Sequence, residues 1–299
     1  MTVAKMSHKS RWLLYTGFVY LLSTPFYFLM WRAGDKDSSW VYLLMFIPAI
    51  TAVILRLVKK EGLKNVGWGI KRPYLLLLAI IIPVLIELIT MLLAVAFGWG
   101  QYNPDFIQNN NGLLTINGIG LLFGNEPQVL VFFLFNFAIS YLVGMLIMFP
   151  LVFGEEFGWR GYLQNHVLAK FSIPVSTLII GLIWGLWHAP VVLLGLNFAD
   201  YPMLGAFILM PLGTIGITAT IGYFYQQSQS IWVATVFHAS INTAVQITNQ
   251  AMGASRDYLA VNLIWIGLWL LLGGFTIMVW IRQEAHTTTT YSEPFVANS

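Results

Sequence analysis

Residues 153–162 read Phe-Gly-Glu-Glu-Phe-Gly-Trp-Arg-Gly-Tyr, which sets two adjacent carboxylates and a guanidinium in an aromatic, glycine-rich stretch. If the stretch is helical, Glu156 and Arg160 are four apart and share a face. That spacing suits an ion pair, which eases the entry of both charges into an apolar medium. Glu155 is turned about 100° away from Glu156, since a helix has 3.6 residues per turn. It is therefore free to face a cavity while Glu156 faces Arg160. The plain alternative is a solvated helix end carrying an ordinary surface pair. The bracketing Phe153, Phe157 and Trp159 argue against solvent.

Two histidines lie inside long apolar runs, whereas His8 and His286 are on the polar ends and His166 is near a helix end. His188 closes Gly181-Leu-Ile-Trp-Gly-Leu-Trp-His, with Trp184 one turn earlier on the same face and Pro190 just beyond. Gly181 and Gly185 form a GxxxG pattern that lets another helix approach closely. His238 and Asn242 are also four apart, a donor pair resembling an oxyanion-stabilising arrangement. The plain readings are a belt or packing histidine for His188 and an interhelical contact for His238 and Asn242. Together with Glu155, the two histidines also make a two-His, one-Glu set of the kind that binds catalytic zinc with one position open. There is no HExxH motif, so such ligands would come from three separate helices. Glu87 has no evident partner nearby in sequence and reads as a satisfied bundle contact.

The elements that position these groups follow from composition. Of 299 residues 58% are hydrophobic and 9% charged, against about 25% charged in a soluble domain. So few charges cannot cover a water-facing surface. A soluble enzyme, a disordered chain, a coiled coil and a nucleic-acid-binding domain are all poor fits. The absence of cysteine excludes disulfides, thiolate metal sites and a cysteine nucleophile. Eight segments approach the roughly 20 apolar residues that span a bilayer: 12–31, 40–55, 73–98, 127–153, 174–195, 203–225, 231–251 and 258–281. The first follows a basic N-terminus but lacks a cleavage site, so it reads as a retained span rather than a signal peptide. With residues 1–11 in the cytoplasm, inside segments hold 12 of the 15 Lys and Arg residues, a firm positive-inside bias.

The expected organisation is all-α and polytopic: an N-terminal segment 1–11, a bundle over 12–281 and a polar, disordered tail over 282–299, with both termini cytoplasmic. A basic loop at 56–72 rests on anionic headgroups, and residues 99–126 form the longest outside loop. Depth sharpens one expectation. If the fourth helix stopped at Phe153, Glu155 would lie at the surface and never meet His188. If it continues to Leu168, Glu155 and His188 are both about 20 Å from a turn near 170–174, at 1.5 Å per residue. The spacing therefore predicts a long fourth helix.

Three motifs stand in order: Glu155-Glu156-x-x-x-Arg160, Trp184-x-x-x-His188 and His238-x-x-x-Asn242. In this the chain resembles the CPBP (or ABI) family of intramembrane proteases, the CAAX proteases and bacteriocin-processing enzymes, over a core at 135–250. Trp184 departs from the phenylalanine that the family often has there. The resemblance implies peptide-bond hydrolysis inside a membrane without a metal cofactor. It implies that Glu155 and His188 activate a water, that His238 and Asn242 stabilise the oxyanion, and that Glu156 and Arg160 hold the motif helix. The implied partners are a peptide or protein substrate, lipidated or not, and membrane lipids, with no nucleic acid. The implied setting is a bacterial plasma membrane. Three rivals stay open: a zinc protease using Glu155, His188 and His238, a non-catalytic immunity or scaffold protein, and a proton-relay transporter.

Overall fold

The computed structural model of the protein describes residues 11–34, 39–253 and 256–290. Apolar runs with no water to bond their backbone groups must satisfy them internally, and helices do so. Helices α1 (Arg11–Ala33), α2 (Trp40–Leu44), α3 (Ile47–Val58) and α4 (Tyr74–Ala96) come first. Helices α5 (Leu130–Gly158), α6 (Asn165–Leu168), α7 (Ile173–Trp187), α8 (Ala189–Leu193) and α9 (Pro202–Leu204) follow. The chain closes with α10 (Met210–Ser228), α11 (Ile231–Met252) and α12 (Tyr258–Thr290). The expected segment 1–11 lies outside the described residues as far as residue 10, and so does the expected tail from residue 291. Helix α12 continues past Arg282.

The fold is a polytopic all-α membrane bundle. Among the described residues six helical stretches are long and apolar enough to cross a membrane, including Trp40–Val58, which joins α2 to α3, and Leu130–Leu168. Two of the eight expected spans fall short of that measure, and both carry the histidines. The first is shorter than the expected 174–195. Helix α7 has 15 residues and stops at Trp187, because Pro190 has no N–H to give the carbonyl of Leu186. The second, α11, is long enough at 22 residues but is diluted by His238, Asn242, Gln246, Asn249 and Gln250. Outward-facing Val131, Ile147 and Leu271 are each at least 70% exposed, an apolar surface fit for lipid.

The expected long fourth helix is present. It runs 39 residues from Leu130 to Leu168 without a break. Its α-helical part ends at Gly158, residues Trp159–Gln164 form a π turn, and α6 completes it. The turn near 170–174 follows, with Pro174 opening α7. The expected loop at 99–126 proves partly strand. Strands β1 (Ile107–Asn110), β2 (Leu113–Ile116) and β3 (Gln128–Val129) pair antiparallel, with Asn110 opposite Leu113. Asn111 and Gly112 both take positive φ, as a two-residue hairpin turn of this kind requires.

The GxxxG pattern does what its spacing suggests. A Cβ on Gly181 would stand 2.6 Å from Ile215 Cα, and one on Gly185 would stand 2.5 Å from Pro211 Cα. Backbone contact between α7 and α10 thus depends on both glycines, and Thr214 adds a hydrogen bond of 2.9 Å to the Gly181 carbonyl.

Candidate functional site

The site forms where the end of α5, the π turn, the end of α7 and the middle of α11 converge. Glu155 and Glu156 occupy the last turn of α5, and both are buried. A π turn widens the helix by one residue per turn and recurs at functional sites. Here it carries Arg160, which has no exposed surface.

A buried charge needs a partner of opposite sign and hydrogen bonds to match. Arg160 Nη1 donates to Glu156 Oε1 at 3.2 Å, and its Nε lies 3.2 Å from Oε2. The guanidinium also sits over the Trp184 ring, with Cζ 4.7 Å from the centroid. On its other side Glu156 holds His238, whose Nδ1 lies 2.9 Å from Oε1. One carboxylate thus joins the π turn to α11. Of these two bonds, only the one to Arg160 is expected from spacing. The bond to His238 spans 82 positions and has no local signal.

Glu155 faces the other way, as the 100° offset requires. Its Oε2 accepts the indole N–H of Trp184 at 2.9 Å and that of Trp159 at 3.4 Å. Trp184 is the hub of the site. Its ring is edge-on to His238 at 5.2 Å between centroids and tilted against His188 at 5.9 Å. The pairing of Trp184 with His188 on one face was legible from their spacing, but the role of the indole N–H as a donor to Glu155 was not.

His188 sits at the bend between α7 and α8 and is half-buried. Its Nδ1 lies 2.8 Å from the Trp184 carbonyl. A carbonyl only accepts, so Nδ1 carries the proton and the neutral ring presents a lone pair at Nε2. Asn242 is half-buried on α11, one turn beyond His238. Glu155, His188 and His238 are thus gathered around one tryptophan, with Asn242 adjacent on its helix. Among the described residues no three His, Asp or Glu side chains converge as metal ligands. Glu155, His188 and His238 surround the Trp184 ring, with Glu155 Oε2 and the two Nδ1 atoms each held by its own partner.

The first span supports the site, although it holds none of the motifs. Tyr15 stacks on Tyr162 at 5.1 Å, meets Trp159 edge-on at 5.9 Å, and bonds the Pro48 carbonyl at 3.2 Å. Trp187 donates to Ser23 Oγ at 2.8 Å. Glu87 lies outside this cluster. It accepts the indole N–H of Trp265 and ties α4 to α12, as a bundle contact does.

Residues 135–244 match the model of the family described as type II CAAX prenyl endopeptidase Rce1-like. The chain is also similar to lysostaphin resistance protein A of three staphylococci. It is 29% identical to the Staphylococcus aureus protein over 250 residues, which is 81% of this chain and 50% of that one. It is 28% identical to the Staphylococcus epidermidis protein over 206 residues, covering 68% and 44% of the two chains. For Staphylococcus haemolyticus the figures are 29% over 204 residues, 68% and 47%. The chain thus spans about half the length of the curated relatives it matches.

Proposed function

We propose, on the premise that residues 135–244 form a membrane-protease domain of the CPBP family, that the protein is an intramembrane endopeptidase. Its catalytic residues are Glu155, His188, His238 and Asn242. The observation that carries this reading is the buried carboxylate of Glu155, held by an indole whose ring lies against both histidines.

The chemistry follows from which atoms are occupied. Water approaches between Glu155 and the free Nε2 of His188. Glu155 takes one of its protons, and the hydroxide adds to the peptide carbonyl. The developing oxyanion accepts hydrogen bonds from Asn242 and from His238 Nε2, which donates when the ring carries both protons. Glu156 orients that ring, its carboxylate accepting the hydrogen bond from Nδ1–H at 2.9 Å. The proton held on Glu155 passes to the departing amine as the C–N bond breaks. Arg160, Glu156 and Trp184 position these groups, and no step calls for a metal.

The setting that fits is a bacterial plasma membrane with both termini in the cytoplasm. The substrate is a peptide or protein, lipidated or not. A second reading has support from the relatives' name, since a resistance protein can act without cleaving anything. Comparison of the proteomes of cells carrying wild type and Glu155→Ala separates the two. The enzyme reading expects at least one peptide whose processing disappears in the variant. An unchanged peptide profile, with the biological effect intact, would leave the scaffold reading standing.

A further inference from the structure

The geometry points to a binding site for one phosphate-bearing anion, the headgroup of an anionic phospholipid, in a cleft on the basic face of the bundle. The cleft measures about 750 Å³ and lies between the loop after α3 and the ends of α1, α6 and α10. That is within the range of about 300–1,000 Å³ typical of small-molecule sites. It is separate from the proteolytic cluster, and the proposal does not depend on cleavage.

Charge is the first argument. Arg11, Arg56, Lys64 and Lys71 line the cleft, and Glu61 is its one carboxylate. Glu61 is already engaged by Arg11 and lies 3.9 Å from His166 Nε2. It cannot also neutralise the other three cations. Arg56 is the second argument, and it is independent of the surface lysines. It is only 4% exposed, yet its guanidinium meets carbonyl oxygens of Gly62 and Gly161 and no carboxylate among the described residues. Among the described residues its Nε has no hydrogen-bond partner, and its Cζ lies 5.5 Å from the centroid of the uncharged Tyr162 ring. A buried cation facing only neutral acceptors is costly unless an anion approaches from outside the chain.

The cleft is also built before any ligand arrives. Its loop wall is pinned to the α10–α11 turn by Lys71 N to Ser228 O at 3.0 Å and Ile231 N to Gly67 O at 2.8 Å. Trp232 Nε1 adds a bond of 2.8 Å to the Trp68 carbonyl. Pre-formed walls reduce the ordering needed on binding. The surroundings favour a lipid over free phosphate. Trp68 lines the cleft and is exposed, and Leu57, Leu63 and Ile70, neighbours in sequence of Arg56, Lys64 and Lys71, are exposed as well. An anion with acyl chains satisfies both the charge and this apolar rim, whereas inorganic phosphate satisfies the charge alone.

Native mass spectrometry of the full chain in neutral detergent tests the site, with phosphatidylglycerol, phosphatidylcholine and inorganic phosphate as three separate probes. Phosphatidylglycerol should bind in preference to phosphatidylcholine. The double variant Lys64→Ala/Lys71→Ala should weaken phosphatidylglycerol binding by about 30-fold, at about fivefold per basic residue near a headgroup. Both lysines are exposed, so this variant keeps the fold, and an unchanged melting temperature without lipid verifies that. If millimolar phosphate displaces the lipid and protects the protein equally well, the site holds a soluble phosphate instead. Equal binding of the two lipids, or an unaltered affinity in the double variant, would overturn the proposal. So would a double variant that keeps its lipid but cleaves acidic peptides more slowly, which would assign the cations to substrate.

Discussion

Replacing Trp184 by phenylalanine isolates the part that an indole N–H plays at Glu155. The substitution keeps an aromatic ring between the two histidines and removes the donor 2.9 Å from Oε2. A hydrogen bond to a charged group contributes about 1.5–3 kcal/mol. If that bond orients Glu155 in the transition state, its loss lowers kcat by about 10- to 150-fold, at 1.36 kcal/mol per factor of ten. The Trp159 indole, at 3.4 Å, compensates weakly, so the lower part of that range is expected. The assay is cleavage of a fluorogenic peptide in proteoliposomes, with kcat and KM resolved and the melting temperature measured beside them. Trp184→Phe should lower kcat while KM stays nearly constant. Trp265→Phe is the control, because it removes the same type of indole–carboxylate bond at Glu87, away from the chemistry. It should lower the melting temperature and spare kcat. A Trp184→Phe enzyme with full kcat and a lowered melting temperature would refute the reasoning and leave Trp184 as packing alone.

Glu156→Gln should both destabilise and inactivate. It leaves Arg160 buried without its counter-charge, a loss of about 3–5 kcal/mol when one partner of a buried pair is removed, readable as the thermal midpoint in detergent. His238 loses its anchor in the same step, so activity should fall even well below that midpoint. Gly158→Ala should force α5 away from α3. The added Cβ would stand 2.3 Å from Tyr15 Oη and 2.5 Å from Pro48 Cβ. Overpacking of this kind costs about 1–3 kcal/mol, and kcat should drop with stability because Glu155 is one turn away. Chelation addresses the metal question. Activity of the purified protein should survive prolonged dialysis against a strong chelator, and a loss that only zinc restores would assign a zinc ion to Glu155, His188 and His238.

What the sequence disclosed was set by range. The membrane class, the long fourth helix and the placing of Glu156 opposite Arg160 rest on composition or on spacings of four, which one chain displays by itself. The close approach at Gly181 and Gly185 was likewise readable, since a small-residue pair has one main structural use. The partners of Glu156 and Glu155 on other helices were not, because His238 is 82 positions from Glu156 and Trp184 is 29 from Glu155. The π turn was hidden for another reason. Its residues, Trp159–Gln164, follow no spacing that separates a π turn from an α-helix, and the contacts of Arg160 with Glu156 and Trp184 are visible only in the fold. The end of α7 was half-legible. Pro190 announced a disturbance near His188, but only the structure shows α7 ending at Trp187 and α8 resuming one residue later.

That early stop bears on how water reaches a peptide bond in oil. At 1.5 Å per residue, the 15 residues of α7 rise about 22 Å, while the hydrocarbon layer is about 30 Å thick. The short helix α8, one residue on, supplies the rest of the rise. On the proposed mechanism the break between the two falls at His188, the residue whose ring meets the water, so the helical wall is interrupted where hydrolysis would need it.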